Sequence, residues 1–448
     1  PLQSVLIGIS CFLFGRSLDS VFLVTVLESI ATLFFSAKLF LLLYGENKKN
    51  SHFVWLILFF VFFSPVFLEY GASASLDPGL MFFTTATLYY FTAFLKTEEK
   101  KNIYLTAIFL ALGISLKNPM FLIIPALFIA FFLEKKAYLF REKKKELFIA
   151  SIIFFIVLLP WMISQSVFYY KGIGHITHMA SIATKDFDGV YDKNWASFAR
   201  SIFFTFGEIT LILFFLYHLC SLLKKRKTGE ITLAIFFFEI LLFYNLFAHI
   251  EPRYMLVIIP IAVIFSVRGI QTVFEKYPSK KRYLNIILIF MLFHAMLFSF
   301  GYFVQQKNNH LATDFMAAAE YIVQENHEKS TVMSSFSRQQ AVAFNVLNDR
   351  NLYVVHPPRD HSKEEDLAEL KLMLNNSFPC VQHPLKTDWE KFGLCHPPIN
   401  YIIVHERYDG QAMKYKLKEE IINFPEFELI KTIEGSKPNN RIFIYERQ

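Results

Sequence analysis

Ten apolar stretches, each long enough or nearly long enough to cross a bilayer, fill the first three hundred residues of this 448-residue chain. They run over about 17–43, 53–69, 78–95, 103–116, 119–133, 147–168, 201–223, 231–249, 252–267 and 283–304. Runs of this length exclude an ordinary soluble domain, because lipid offers backbone polar groups no partner and only self-satisfied elements span it. With 54% hydrophobic residues and 53 Phe, the composition agrees. The stretches 103–116 and 119–133 are short, and they read either as two spans or as one re-entrant hairpin.

Charge sets the orientation. The loops near 45–52, 96–102, 134–146, 224–230 and 268–282 hold about 20 Lys and Arg, against about 7 in the alternate loops, so the first group is read as cytoplasmic. Both chain ends then fall on the outer face. The net charge of +7 is spread through these loops and is no nucleic-acid signal. The chain opens on Pro1 without an initiator Met or signal peptide, which reads as a fragment lacking its N-terminus. Residues 1–14 are too short to span and read as an interfacial helix.

After Gln305 the apolar runs shorten. Helix-like stretches (311–328, 338–348, 363–375, 411–423) alternate with strand-like ones (STVMSS, NLYVV, NYIIVHE, FELIKTIE, RIFIYER). This predicts a membrane region over 1–304 and a small α/β domain over 305–448 on the outer face. Cys380 and Cys395 are placed to form a disulfide on that oxidising side, and a metal site with His383 and His396 is the weaker reading. Cys11 and Cys220 read as small packing residues.

Ionisable residues gather at the outer ends of the spans. Asp77 lies in the turn EYGASASLDPG, where Pro78 can open the next helix with the carboxylate at its N-cap. Glu69 adds a second carboxylate to that hairpin. Lys117 stands in LKNP, where an ammonium can meet an anionic headgroup or simply snorkel to the interface. AHIEPRYMLVIIP packs His249, Glu251, Arg253 and Tyr254 at one boundary. Arg253 suits a phosphate, because guanidinium grips it in a bidentate fork; a Glu251–Arg253 surface pair is the plain alternative. Glu28, Lys38, Glu239 and His294 read as interhelical contacts. The 170–200 loop, with His175, His178, Asp186, Asp188 and Asp192, reads as a solvated loop or lid.

These motifs resemble the membrane glycosyltransferases of the GT-C fold. In particular they are similar to glycosyltransferase family 39, which includes protein O-mannosyltransferases and the aminoarabinose transferase that modifies lipid A. The opening PLQSVLIGISCFLFG resembles the stretch after that family's first outer loop. EYGASASLDPGLMFF resembles its second carboxylate motif, LKNPMFLIIP its lysine–proline hairpin, LLPW (158–161) the motif before the long loop, and HIEPRYMLVIIP a late signature. The likeness covers about 1–270.

It implies inverting transfer of a sugar from a polyprenyl-phosphate carrier to a lipid, glycan or protein acceptor on the outer face of a bacterial inner membrane. Arg253 and Lys117, with Glu251, His249 and Tyr254, would bind the donor. Asp77 would orient the acceptor or a divalent cation, and nucleic acid is not among the expected partners. The family's main catalytic Asp sits in a loop ahead of Pro1, so no residue here takes that role and the chain as given is expected to be inactive. Phe22 stands where the family often has Arg. A transporter or flippase of a lipid-linked substrate is the alternative, disfavoured by the missing repeat and the one-sided polar residues.

Overall fold

A computed structural model describes the chain except residues 1, 16, 47, 72, 74, 170–201, 204, 223–226, 247–251, 308–311, 326–329, 335–351, 356–362, 375–398, 407–415 and 435–440. The chain divides into two compact units: Pro1–Gly15 with Asp19–Val304, and Arg16–Leu18 with Gln305–Gln448.

The first unit is helical. Its helices are α1 (Leu2–Phe14), α2 (Leu18–Tyr44), α3 (Lys48–Phe62), α4 (Pro65–Tyr70), α5 (Asp77–Thr97), α6 (Lys100–Leu116), α7 (Ile123–Leu133), α8 (Leu139–Glu142), α9 (Lys144–Tyr169), α10 (Ile209–Leu222), α11 (Glu230–Leu246), α12 (Ile259–Lys276) and α13 (Lys281–Lys307). Tight 3₁₀ turns at Asn118–Leu122 and Pro252–Ile258 lead into α7 and α12. Among the described residues, four helical segments are long and apolar enough to cross a membrane: Asp19–Tyr44, Lys144–Ile163, Arg253–Lys276 and Pro278–Tyr302.

Burial separates the roles of these helices. The segment Arg253–Lys276 is the innermost, packed on nearly all sides. By contrast α9 and α13 point Phe148, Phe155, Ile156, Ile289, Phe290 and Phe300 outward. An exposed apolar surface of that extent suits lipid and not water.

Two apolar stretches and one loop differ from the sequence reading. The stretch 53–69 is broken at Ser64–Pro65: Pro65 cannot donate to the preceding turn, so α3 stops and α4 starts with Pro at its head. One distant side chain takes up a freed carbonyl there, and a side chain at the break in turn serves a distant carbonyl. Ser299 donates to the Phe63 carbonyl, and Ser64 Oγ donates to the Thr205 carbonyl at 2.9 Å. The stretch 201–223 bends at Gly207, whose φ of +66° needs glycine; an added Cβ there would also sit 2.6 Å from Pro65 Cδ. Third, the supposed cytoplasmic loop 268–282 is helical through Lys276, because Gln271 and Glu275 hydrogen-bond across one turn of α12.

The second unit holds α14 (Ala312–Glu325), α15 (Lys363–Leu374), α16 (Leu417–Ile421) and five strands. The strands are β1 (Ser330–Ser334), β2 (Leu352–Val355), β3 (Ile399–His405), β4 (Phe427–Glu434) and β5 (Arg441–Arg447), in sheet order β2-β1-β3-β5-β4. β1 pairs in parallel with β2 and β3, while β5 runs antiparallel to β3 and β4. Met333, Ile402, Val404, Phe443 and Tyr445 form one core, and Val332, Tyr401, Ile403 and Ile444 the other, as alternation along a strand requires. All five strand-like segments are strands. The helix read over 338–348 lies outside the described residues, and that over 411–423 is described only for Leu417–Ile421.

Candidate active site

Three separate hairpins bring their ionisable ends together. Helix α5 starts at Asp77 with Leu76 as its cap residue and Pro78 in the first turn. The Asp77 carboxylate therefore does not cap the helix as the sequence reading expected; it is buried, and it forms an ion pair with Lys117. It still lies in the first turn of α5, at the positive end of the helix dipole.

Lys117 reaches this point because α6 must end there. Pro119 has no backbone N–H to donate and sits at the head of a new turn, and Lys117, two residues before it, is extended, with φ −154° and ψ 132°. The turn is then wedged in place by Met120. Its side chain lies against Gly113, where an added Cβ would fall 2.8 Å from Met120 Cγ, and its sulfur accepts a 3.2 Å hydrogen bond from Thr84 Oγ1 of α5. Sequence thus fixes both the backbone direction at Lys117 and its distance from α5.

Tyr254, in the turn leading into α12, completes the cluster. The Lys117 ammonium lies 5.2 Å from its ring centroid and the Arg253 guanidinium 5.3 Å. Two cations on one aromatic ring are each attracted by its quadrupole, more strongly where water is thin. The site thus holds an ammonium with a fifth of its side chain exposed and a guanidinium, both over one tyrosine ring, and a buried carboxylate that holds the ammonium. Such a set can grip an anion while Asp77 keeps Lys117 from straying.

A second carboxylate was read only as an interhelical contact. Glu28 of α2 is buried against the first turn of α5, where an added Cβ on Gly79 would lie 2.7 Å from Glu28 Oε1. Gln3 Nε2 donates to its other oxygen at 3.2 Å. The only sequence signal for this approach is Gly79 itself, two residues after Asp77. Glu69 instead accepts a 2.5 Å hydrogen bond from the Tyr302 hydroxyl. His294 pairs with Glu208, which carries no motif in the sequence.

The LKNPMF and LLPW motifs also meet, through the Phe121 and Trp161 rings with centroids 6.3 Å apart. His249 and Glu251 lie outside the described residues, as do the 170–200 loop and the Cys380, Cys395, His383 and His396 group. Among the described residues no group of three or more His, Cys, Asp and Glu side chains is gathered to hold a metal ion.

Comparison with known proteins places this arrangement. A family model for dolichyl-phosphate-mannose-protein mannosyltransferases matches residues 19–172, and one for the Alg9-like mannosyltransferase family matches 195–339. The crystal structure of ArnT from Cupriavidus metallidurans bound to undecaprenyl phosphate is similar, with a TM-score of 0.67 at 10% identity, covering 99% of this chain and 87% of that one. The oligosaccharyltransferase of Archaeoglobus fulgidus is similar at a TM-score of 0.55 and 11% identity, over 100% of this chain and 64% of that one. Arabinofuranosyltransferase AftD from Mycobacteria gives 0.51 and 11%, over 98% and 34%. No curated protein matches in sequence.

The chain has the GT-C fold of membrane glycosyltransferases. It is a multi-pass integral-membrane glycosyltransferase.

Proposed function

We propose that this glycosyltransferase takes its sugar from a polyprenyl-phosphate carrier and that the Asp77–Lys117–Tyr254–Arg253 cluster binds the carrier's phosphate. The observation that carries the reading is the convergence itself: two cations from different hairpins share the Tyr254 ring, and one of them is held by Asp77. A lipid phosphate leaving an anomeric carbon gains negative charge, and fixed cations in a dry site stabilise that charge most where it develops. Arg253 supplies the fork and Lys117 the point charge, exchanging part of its contact with Asp77 for a phosphate oxygen. Released from Lys117, Asp77 orients the acceptor hydroxyl or a divalent cation; the carboxylate that removes the acceptor proton is assigned to none of the described residues. His249 and Glu251, in the same AHIEPRY run, belong to the donor side of this site.

The cluster belongs on the outer face, with the basic loops on the cytoplasmic side, about ten membrane crossings between them and residues 305–448 also outside. The Lys/Arg bias supports this, as does the position of Asp77 and Lys96 at opposite ends of α5. A bacterial inner membrane fits, and undecaprenyl phosphate, the ligand of the ArnT structure, is the carrier class to test first. Acceptors are lipid, glycan or protein. Titrating undecaprenyl phosphate into the full chain in nanodiscs tests the assignment. Arg253→Ala should weaken binding at least tenfold, as loss of a charged hydrogen bond costs about 1.5–3 kcal/mol. Unchanged affinity in both Arg253→Ala and Lys117→Ala would remove the cluster from the donor site.

A further inference from the structure

The end of the bundle opposite Asp77 carries a second concentration of charge that sugar transfer does not use. Lys96 lies in the last turn of α5, nineteen residues on from Asp77 and so about 28 Å along the helix axis. Its ammonium donates to the Leu42 and Leu43 carbonyls at 2.6 and 3.2 Å, closing the end of α2. The next residue, Tyr44, presents a ring with the Lys227 ammonium 5.0 Å and the Arg268 guanidinium 4.8 Å from its centroid. Two cations, from the α10–α11 connection and α12, therefore share one aromatic ring, and a third, from α5, is held at the two residues before it, near enough to Lys227 to feel its charge.

The carboxylates nearby are committed elsewhere. Glu134 Oε1 accepts from the Gly229 and Ile231 amides at 2.9 and 3.1 Å, serving the start of α11. Glu230 accepts from the Lys227 backbone amide at 2.6 Å and lies 3.5 Å from His218 Nε2, which also approaches the Tyr44 hydroxyl. Glu275 takes a 3.1 Å bond from Gln271 and reaches Arg268 only at 3.9 Å. Among the described residues, neither the Lys96 nor the Lys227 ammonium has a carboxylate within ion-pair distance.

The backbone holds the cations together. Gly229 has φ +96°, and an added Cβ would fall 2.3 Å from Thr92 Cγ2, so the connection that carries Lys227 is pressed onto α5 one turn before Lys96. Burial first, and then the neighbouring cation, pull both ammonium pKa values below the usual lysine range: Lys227 acts on Lys96, and Arg268 on Lys227, with Glu230 pulling both the other way, helped by Glu134 at Lys96 and Glu275 at Lys227. Like charges crowded in this way are relieved by a bound anion.

We propose that Lys96, Lys227 and Arg268 form a second anion site, around the Tyr44 ring, which takes the phosphate of an acidic lipid headgroup. The shared chemistry is a phosphate with at least one ionised oxygen, which a free phosphate also offers. The lipid is favoured by an apolar groove of about 340 Å³ lined by Leu213, Phe214, Tyr217, Val273 and Ile287, on the same helix α12 that carries Arg268. Gly269, the residue after Arg268, packs against the Phe214 backbone of that groove, where an added Cβ would fall 2.2 Å from the Phe214 carbonyl oxygen.

The test uses the delipidated full chain in a neutral detergent, with bound lipid counted by native mass spectrometry. Phosphatidylglycerol, phosphatidylcholine and inorganic phosphate are titrated separately. Wild type should retain phosphatidylglycerol in preference to phosphatidylcholine. Lys227→Gln and Arg268→Gln should each weaken retention about fivefold, the worth of one cation near an anionic lipid surface. Arg268→Lys should keep most of it, and Lys101→Gln, an exposed cation at the start of α6, should change nothing. Equal phosphatidylglycerol retention in wild type, Lys227→Gln and Arg268→Gln would overturn the site. Binding of inorganic phosphate without phosphatidylglycerol would overturn its assignment to lipid. Lys227 is exposed, so its variant decides the matter if Arg268→Gln fails to fold.

Discussion

Removing Lys117 should cost more than removing Asp77, and the difference can be worked from their surroundings. The Asp77 side chain is 4% exposed and that of Lys117 21%. Lys117→Met strips a buried carboxylate of its cation, which costs about 3–5 kcal/mol where water is excluded; the partial exposure of Lys117 argues for about 3. Asp77→Asn leaves an ammonium that keeps the Tyr254 face and some solvent, and should cost about 1 kcal/mol, in the range of an exposed pair. The double variant Asp77→Asn/Lys117→Met should then be more stable than Lys117→Met alone, with a coupling of about 1–3 kcal/mol. Denaturant or thermal unfolding of the four proteins in one detergent gives the cycle. Equal losses in the two single variants, with a simple sum in the double, would refute the idea that a buried ion pair ties α5 to the α6–α7 hairpin.

Gly79→Ala should destabilise by about 1–3 kcal/mol, since its Cβ would press on Glu28 Oε1, and Glu28→Ala in the same chain should recover part of the loss; no recovery would separate Gly79 from Glu28. In the second unit, burial lowers the His405 pKa to about 3. The unfolded chain therefore binds one more proton between about pH 6.5 and pH 3, so stability is complete above that window and falls as pH drops through it, by about 1.4 kcal/mol per unit. His405→Leu should flatten the acid limb of the unfolding curve, and an unchanged slope would contradict the reading. Glu406→Gln should act on the same limb. The Arg441 guanidinium, bonded to both Glu406 oxygens at 2.7 and 2.8 Å, holds that carboxyl below its usual range, a contribution also lost on acidification.

Much of this arrangement is legible in the sequence, for physical reasons that differ from residue to residue. Apolar stretches report where helices form, because lipid and core both demand self-satisfied backbone. Asp77, Lys117, Arg253 and Tyr254 stand out because ionisable groups at span ends are costly to place deeper; the structure sets Lys117 and Arg253 over the Tyr254 ring and pairs Asp77 with Lys117. Hydropathy is blind to backbone direction, so 53–69 and 201–223 read as single spans although Pro65 and Gly207 break or bend them. A charged, amphipathic last turn of α12 looked like a loop because Gln271 and Glu275 are polar in composition but satisfied within the helix. Glu28 could not be placed, since nothing in one sequence says which neighbour a buried carboxylate faces; only Gly79 hinted that something had to come close. The Lys96–Lys227–Arg268 group was visible only as positive-inside loops, because its shape depends on three distant segments meeting at Tyr44.

The central claim, that the Tyr254 cluster holds a lipid phosphate, is tested most directly by photo-crosslinking. A polyprenyl phosphate analogue with a diazirine in its first isoprene unit, next to the phosphate, would be added to the full chain in nanodiscs and the adducts mapped by mass spectrometry. Adducts should concentrate on residues 117–122 and 252–258, be displaced by undecaprenyl phosphate, and fall sharply in Arg253→Ala. Labelling confined to the outward faces of α9 and α13, unaffected by that substitution, would mean the carrier meets this protein only as bulk lipid.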